Sequence, residues 1–236
     1  MLIHPRRISL QALPNISIEE NELLPRPSLR NLGIHMDTIL SVDSQICMLC
    51  KSLAYQIRLI SGIKRFLDDE SLRTIVAAAF TSRLDYCNSI LVNAPAYHIE
   101  RLQRLQNTAA RLVTRTGRFN HITPVLLSLH WLPVLYRIKY KIALIVFKAL
   151  NNLSPLYIKE LVKLHRPARQ LRSSSDVAKL KPVRSRTKSY GDRRFSVAAP
   201  MVWNELPVDV RVTSSLTSFK RTLKTFYFHT AYEFLL

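Results

Sequence analysis

Glycine is scarce in this chain, and its scarcity limits the folds that are open to it. Among 236 residues only four glycines occur: Gly33, Gly62, Gly117 and Gly191. Antiparallel sandwiches and barrels need many tight turns, where glycine supplies positive φ angles, so the composition disfavours them. A glycine-rich phosphate-binding loop is excluded because neither G-x-G-x-x-G nor G-K-[ST] is present. The 47% apolar content is ordinary for a globular protein, so we expect a core built mainly from helices.

Apolar residues recur with a helical period through residues 44–164. A first helix is predicted from Ser44, with Ile46, Leu53 and Ile60 on one face. Asp68 and Asp69 are predicted to cap a second helix that runs to about Leu91. Further helix starts are predicted near Tyr97, Pro124, Pro133, Pro155 and Ser215, the last helix running to about Tyr232. Because the connections among the first five helices are short, we expect a bundle.

The other segments lack this period. Residues 1–28 contain four prolines and predict an irregular arm, while the alternating pattern in 29–43 predicts one short strand without a nearby partner. Residues 165–194 are basic and poor in apolar side chains, which predicts a linker or loop. Residues 195–236 predict a docking segment and a C-terminal helix. The predicted fold is mainly α: a helical bundle over 44–164, with one short N-terminal edge strand, a basic loop and a C-terminal helix.

Positive charge is concentrated in the middle of the chain. Of a formal net charge of +19, residues 101–194 carry +18, because 21 lysines and arginines there face only Glu160, Asp176 and Asp192. Lysine and arginine set against phosphates release condensed counterions, so the natural partner is a polyanion. Two alternatives are an anionic membrane surface and a set of solvated helix faces, although solvated faces usually mix both signs.

The cysteines and the apolar runs bear on the compartment. Three cysteines without a secretory signal predict free thiols and an intracellular protein, nuclear or cytoplasmic. Cys47 and Cys50 have zinc-like spacing, but no second pair follows, so we predict no metal site. The longest apolar run, 142–147, is too short to span a bilayer, so no membrane partner is expected. No cofactor and no small-molecule substrate are predicted either.

Six short blocks of sequence carry a resemblance to a known family. They are Thr81–Leu91 (TSRLDYCNSIL), Arg101–Val113 (RLQRLQNTAARLV), His121–Pro124 (HITP), Leu129–Val134 (LHWLPV), Arg184–Gly191 (RSRTKSYG) and Ala199–Pro207 (APMVWNELP). In this order they resemble the C-terminal part, the thumb and beyond, of non-LTR (LINE-type) retrotransposon reverse transcriptases. The similarity covers residues 29–230.

The resemblance implies a binding role without catalysis. It makes residues 32–37 (LGIHMD) the last strand of the polymerase palm and the following helices the thumb. In that family the metal-binding acidic motif of the palm lies upstream of this point. Here the only adjacent aspartates, Asp68 and Asp69, stand at a helix start, whereas two-metal nucleotide transfer needs a cluster of acids. We therefore expect no catalytic residue and no enzyme activity of the chain as it stands, with an upstream polymerase palm as a further partner.

Two sets of residues are candidates for contacting nucleic acid. The first is Arg101, Arg104, Arg111 and Arg115, whose spacing places them on one helical face, although the same pattern fits a solvated face without a ligand. The second lies in the basic loop and comprises Arg184, Arg186, Lys188, Tyr190, Arg193 and Arg194, with the tyrosine as a candidate for stacking on a base. For Trp131 and Trp203, packing at helix junctions is favoured over base stacking.

These expectations combine into one predicted function with two alternatives. The chain is predicted to bind RNA or an RNA–DNA hybrid, as the thumb and C-terminal region of a LINE-like RNA-directed DNA polymerase that lacks the catalytic palm. The first alternative is a helical protein-interaction module with a basic face for an acidic partner. The second is a non-functional retrotransposon remnant.

Overall fold

Two short β-hairpins precede the helices. The computed structural model describes residues 26–165, 177–187 and 190–233, together with the backbone of 16–18 and 21–23. The strands are β1 (Ile16–Ile18), β2 (Asn21–Leu23), β3 (Ser28–Asn31) and β4 (Ile34–Asp37). The helices are α1 (Asp43–Ile63), α2 (Asp69–Val76), α3 (Ser82–Asp85), α4 (Ala96–Thr114), α5 (Ile122–Ser128), α6 (Val134–Leu150), α7 (Leu156–Glu160), α8 (Phe195–Asn204), α9 (Val208–Arg211) and α10 (Leu216–Tyr232). The prediction of a mainly α fold is confirmed.

The predicted single strand over 29–36 is a hairpin instead. Leu32 and Gly33 have φ angles of 47° and 81°, and they turn the segment back on itself so that Leu29 pairs with Met36. Positive φ at both central residues gives the twist that antiparallel strands require. The strand therefore finds its partner within the same segment. The predicted irregular arm also contains structure, because β1 pairs with β2 within it.

Helices α1 and α4 lie side by side and run in the same direction. Near their N-terminal ends, Nε2 of His98 lies 2.5 Å from a carboxylate oxygen of Asp43. Beyond their C-terminal ends, the Arg115 guanidinium donates to the carbonyl of Leu67 over 2.9 Å. The two helices are thus held at both ends, and Leu53 of α1 is fully buried in the core between them and the rest of the bundle.

The second predicted helix is shorter than the sequence indicated. Asp68 caps α2 as expected, accepting hydrogen bonds from the backbone of Ser71 and Glu70, and the hydrogen bonds from Ser71 in particular lower the pKa of Asp68. A π-helical turn, Ala77–Thr81, follows, and the helical path ends at Asp85 rather than near Leu91. Tyr86 is extended, Cys87 has a φ of 50°, and a separate 3₁₀ turn, Asn88–Leu91, follows. Apolar spacing continues through this region, so periodicity alone does not reveal the break.

Helix α6 forms the centre of the molecule. It packs against α4, α8 and α10, and Ile138, Ile142 and Val146 are buried along it. Pro133 precedes the helix as predicted, since its missing N–H lies where no helical hydrogen bond is needed. On the α10 side, Phe147 stacks on Phe219 with ring centres 4.1 Å apart.

Helices α8 and α9 hold part of the predicted basic loop in place. Trp203 is fully buried and donates from Nε1 to the carbonyl of Ala178 over 2.8 Å. The Asn204 side chain exchanges two hydrogen bonds with the backbone of Leu180, at 2.8 and 3.0 Å. The described part of the loop beginning at residue 177 is therefore docked on the bundle. Trp203 packs in the core, which is the role that its sequence context favours.

Candidate nucleic-acid interface

A groove of about 590 Å³ opens between α1 and α4 near their C-terminal ends. Side chains of both helices and of the turns that follow them line this gap. The lining residues are Ile57, Ser61, Lys64, Arg104, Asn107, Thr108, Arg111, Leu112, Thr116 and Arg118. We refer to this feature as the basic groove.

The charged residues that line the basic groove are all positive. Four of its ten residues are lysine or arginine and none of the ten is acidic. The acid nearest to a lining cation along α4 is Glu100, whose carboxylate lies 3.7 Å from the Arg104 guanidinium. Both side chains are exposed, so this ion pair is weak. Among the neutral lining residues, the Ser61 hydroxyl and the Asn107 side-chain amide can donate to phosphate oxygens, whereas the Thr108 hydroxyl already donates to the Arg104 carbonyl.

The exposed side of α1 extends this positive surface. Lys51, Arg58 and Arg65 are all exposed and stand seven residues apart, which places them on one line along and just beyond the helix. Within α1, Arg58 immediately follows Ile57, a residue of the groove wall. The row therefore stands about 100° around α1 from the groove wall, on the neighbouring side of the helix.

The four arginines predicted to share one face of α4 have three different environments. Arg104 and Arg111 line the basic groove. Arg101 is exposed one turn earlier, and its charge acts on the thiol of Cys50: burial raises the pKa of Cys50, whereas Arg101 lowers it. Arg115, in contrast, points toward the junction between α1 and α2.

Arg115 is occupied by the protein itself. It follows the last residue of α4 with a φ of 54°, and its guanidinium reaches the carbonyls of Lys64 and Leu67 at 3.4 and 2.9 Å. Its Nε also lies 3.3 Å from a carboxylate oxygen of Asp69. These contacts satisfy carbonyls at the end of α1, a position where a cation is favourable. The side chain therefore has a structural role.

Replacing Arg115 with alanine is expected to lower the free energy of unfolding by about 1 kcal/mol, because charge-assisted hydrogen bonds are removed from a half-exposed site. Alanine retains the cost of the positive φ, so the change reports on the side chain alone. Urea unfolding measures the stability, and a parallel RNA titration should show a smaller loss of affinity than Arg104→Ala. An equal loss of affinity in the two variants would assign Arg115 to the binding surface instead.

The second predicted set lies elsewhere on the molecule. Arg184 and Arg186 are exposed in the described segment 181–187, whereas Lys188 lies outside the described residues. Gly191 packs so closely on this segment that a Cβ atom there would lie 2.7 Å from the backbone oxygen of Thr187. The turn at 190–194 is consequently fixed against the segment that carries these arginines.

Tyr190, Arg193 and Arg194 line a separate cavity of about 390 Å³, against β4 and the start of α1. Arg193 donates a hydrogen bond to the carbonyl of Leu40. Burial lowers the pKa of its guanidinium, while the carboxylates of Asp37 and Asp43 act to raise it. Arg193 therefore anchors the turn to the loop between β4 and α1. Because this cavity meets α1 twelve residues before the basic groove does, the two sites are roughly 18 Å apart along that helix.

Sequence reasoning missed several residues of the positive surface. Lys64 and Arg118 line the basic groove but lie beyond the ends of α1 and α4. The seven-residue spacing of Lys51, Arg58 and Arg65 was the available signal for the row on α1. No comparable signal marks Lys64 or Arg118, since the pairing of two helices brings them together.

Other kinds of site find little support in the described part of the chain. No group of three or more histidine, cysteine or acidic side chains there is placed to hold a metal ion. One segment there, Asp43–Phe66, has the length and mean hydropathy (1.3) of a membrane span. It packs along α4 with Ile46, Leu53 and Ile60 buried, while 28% of the span-like window is buried as a whole.

The chain was compared with protein-family models, curated proteins and solved structures. No protein-family model, no curated protein and no solved structure matches it.

Proposed function

We propose that the chain binds RNA or an RNA–DNA hybrid through the basic groove, as the thumb and C-terminal region of a LINE-like RNA-directed DNA polymerase. The observation that carries the binding proposal is a groove whose lining holds four cations and no acid. The assignment to that family rests on the six ordered blocks of sequence. In this proposal the chain contributes binding and no catalysis of its own.

The spacing of the cations suits a sugar–phosphate strand. Arg104 and Arg111 are seven residues apart on α4, which is about 10 Å along the helix axis. A stacked strand advances about 3.4 Å per phosphate, so this distance covers about three phosphates. Lys64 and Arg118 add positive charge at the end of the groove that lies beyond the C-terminal ends of α1 and α4. Long cationic side chains in this arrangement follow a backbone rather than recognise a single phosphate group.

Binding of this kind is tolerant of sequence. Contacts to phosphates position a strand but carry no information about its bases. We therefore propose a general affinity for RNA-containing strands, exerted in the nucleus or the cytoplasm, where such strands occur. An upstream polymerase palm would then supply the chemistry, while this region holds the template strand.

Salt dependence tests the proposal directly. If four cations each neutralise one phosphate, the logarithm of the association constant should fall with the logarithm of salt concentration at a slope of about −3. Raising the salt from about 50 mM to about 500 mM should then weaken binding about a thousandfold. Fluorescence anisotropy with a labelled RNA and with an RNA–DNA hybrid measures this. Equal affinity at the two salt concentrations would rule out an electrostatic groove.

A second candidate function is favoured by the exposed apolar residues of α1. Met48, Tyr55 and Leu59 form an exposed stripe beside the row of Lys51 and Arg58. An acidic amphipathic helix of a partner protein would match both the stripe and the row. Titration with an acidic amphipathic peptide, run alongside the RNA titration, separates the two candidates. Binding of neither ligand would leave the interpretation of a non-functional remnant.

A further inference from the structure

Two phenylalanines stand in solvent at one end of the basic groove. The exposed fraction of residue Phe119 is 97% and that of Phe66 is 74%, the highest values for phenylalanine, tyrosine and tryptophan in the described part of the chain. Single exposed apolar residues are common on protein surfaces and need no explanation by themselves. The position of this pair relative to the cations is what distinguishes it.

Phe119 is presented by a turn that is built onto the groove. The turn runs from Gly117 to Asn120 and is closed by a backbone hydrogen bond of 3.3 Å between those two residues. The guanidinium of Arg111, a lining residue, donates to the carbonyl of Asn120 over 2.9 Å. The residue before Phe119 is Arg118, which also lines the groove. Both neighbours of Phe119 are therefore tied to the basic groove.

Phe66 reaches the same end from the other helix. It lies two residues after Lys64, a lining residue, in the 3₁₀ turn that follows α1. The Arg115 guanidinium bridges this turn to the end of α4 by binding the carbonyls of Lys64 and Leu67. The guanidinium carbon of Arg65 sits 4.6 Å from the centre of the Phe66 ring. The ring thus carries a cation on one side and remains largely open to solvent.

We propose that Phe119 and Phe66 form a stacking platform for unpaired bases, so that the basic groove prefers a single-stranded segment to a continuous duplex. This inference rests on the proposed function, since the cations must first bind a phosphate backbone. Cations that follow a backbone, combined with aromatic rings on which bases stack, are the usual components of single-strand binding sites. In the interior of a duplex the faces of the bases are already covered by their neighbours, so they offer no surface to these rings.

The test compares three ligands of equal length. They are a single-stranded RNA, the same strand with abasic positions, and a duplex. Each end of the duplex is closed by a non-nucleotide linker, so that it offers no unpaired base. Phe119→Ala should weaken binding of the intact single strand about 5- to 150-fold, the range expected for loss of one stacked base. Binding of the abasic strand and of the closed duplex should change little. Phe119→Trp should restore single-strand binding, and its fluorescence should be quenched by the bases. Phe66→Ala should show the same pattern as Phe119→Ala.

The outcomes separate this inference from the proposed function. If wild type binds the single strand with the expected salt dependence but Phe119→Ala and Phe66→Ala bind it equally well, stacking is wrong and the electrostatic groove stands. An equal loss on the intact and the abasic strand also overturns stacking, because it indicates a change in the turn itself. If wild type binds none of the three ligands, both proposals fail. Tyr157 is an exposed aromatic residue that does not line the groove, so Tyr157→Ala is a matched control and should leave all three affinities unchanged.

Discussion

Replacing Trp203 with alanine is expected to lower the free energy of unfolding by about 3–5 kcal/mol, the range for truncating a large aromatic side chain in a core. Trp203 has no exposed surface, and its ring lies 5.8 Å from Phe219, which in turn stacks on Phe147. Alanine would leave a cavity among α6, α8 and α10. It would also leave the carbonyl of Ala178 without its donor, since the 2.8 Å hydrogen bond from Nε1 is removed.

Urea unfolding followed by circular dichroism measures this effect. Trp203→Phe should cost less, about 1–3 kcal/mol, because the ring volume is largely kept while the hydrogen bond is removed. Met201→Ala is the matched control on the same helix, since that side chain is half exposed, and it should change stability by about 0.5 kcal/mol or less. A loss below about 1 kcal/mol for Trp203→Ala would contradict the placement of this residue in the core.

The same substitution tests how the segment after residue 176 is held. Trp203 and Asn204 bind the backbone of Ala178 and Leu180, and Arg211 binds that of Val177 over 2.6 Å. If Trp203 is the central anchor, limited proteolysis should cut this segment faster in Trp203→Ala than in wild type under native conditions. Equal cleavage rates would assign the docking to the hydrogen bonds of Asn204 and Arg211 alone.

Most of the helical bundle could be predicted because the signals that begin each helix lie close to that helix in the sequence. The starts of α1, α4, α6 and α10 follow from apolar spacing together with caps and prolines, which act within one or two turns. Helices α5 and α7 begin within two residues of Pro124 and Pro155. In α1 the face that the sequence indicated as apolar is the buried one, with Ile46, Leu53 and Ile60 in the core.

The hairpin of β3 and β4 could not be predicted in the same way. Its turn requires a leucine at positive φ, a conformation that leucine adopts only when other contacts support it. One such contact is the hydrogen bond of 2.9 Å from the backbone N–H of His35 to the Gln45 side chain on α1. Another is the hydroxyl of Tyr86, which donates to the Leu32 carbonyl over 2.7 Å. Both partners come from elements that the strand pattern does not contain.

The candidate site, like the fold, could be predicted only in part from the sequence. The arginine face of α4 is visible in the sequence because its members share one helix. Whether an arginine is available to a ligand is not visible, because the groups that occupy it are distant in the chain. Arg115 binds carbonyls 48 and 51 residues earlier, and Arg193 binds one 153 residues earlier. The pattern therefore predicts where cations gather, while tertiary structure decides which of them are free to act.

Replacing Lys64, Arg104 and Arg118 together with serine is expected to weaken RNA binding about 100- to 1,000-fold at about 50 mM salt, or about 3–4 kcal/mol. The three side chains line the basic groove, and Arg104 in particular is highly exposed with only a weak partner in Glu100. Removing each cation should reduce the salt slope by about 0.7, so the slope of the triple variant should be about 2 units shallower. Arg111 is left intact because it also supports the turn at Asn120.

The matched control removes the same charge from another surface. Lys220, Arg221 and Lys224 are all exposed on α10 and do not line the groove, so their replacement with serine lowers the net charge equally. This variant should bind RNA within about threefold of wild type, because exposed charges farther away than about 10 Å are largely screened at moderate salt. Circular dichroism should show both variants folded, since none of the six side chains is buried in the core. If the two triple variants lose affinity for RNA equally, binding depends on the net charge of the chain and the basic groove is not the binding site.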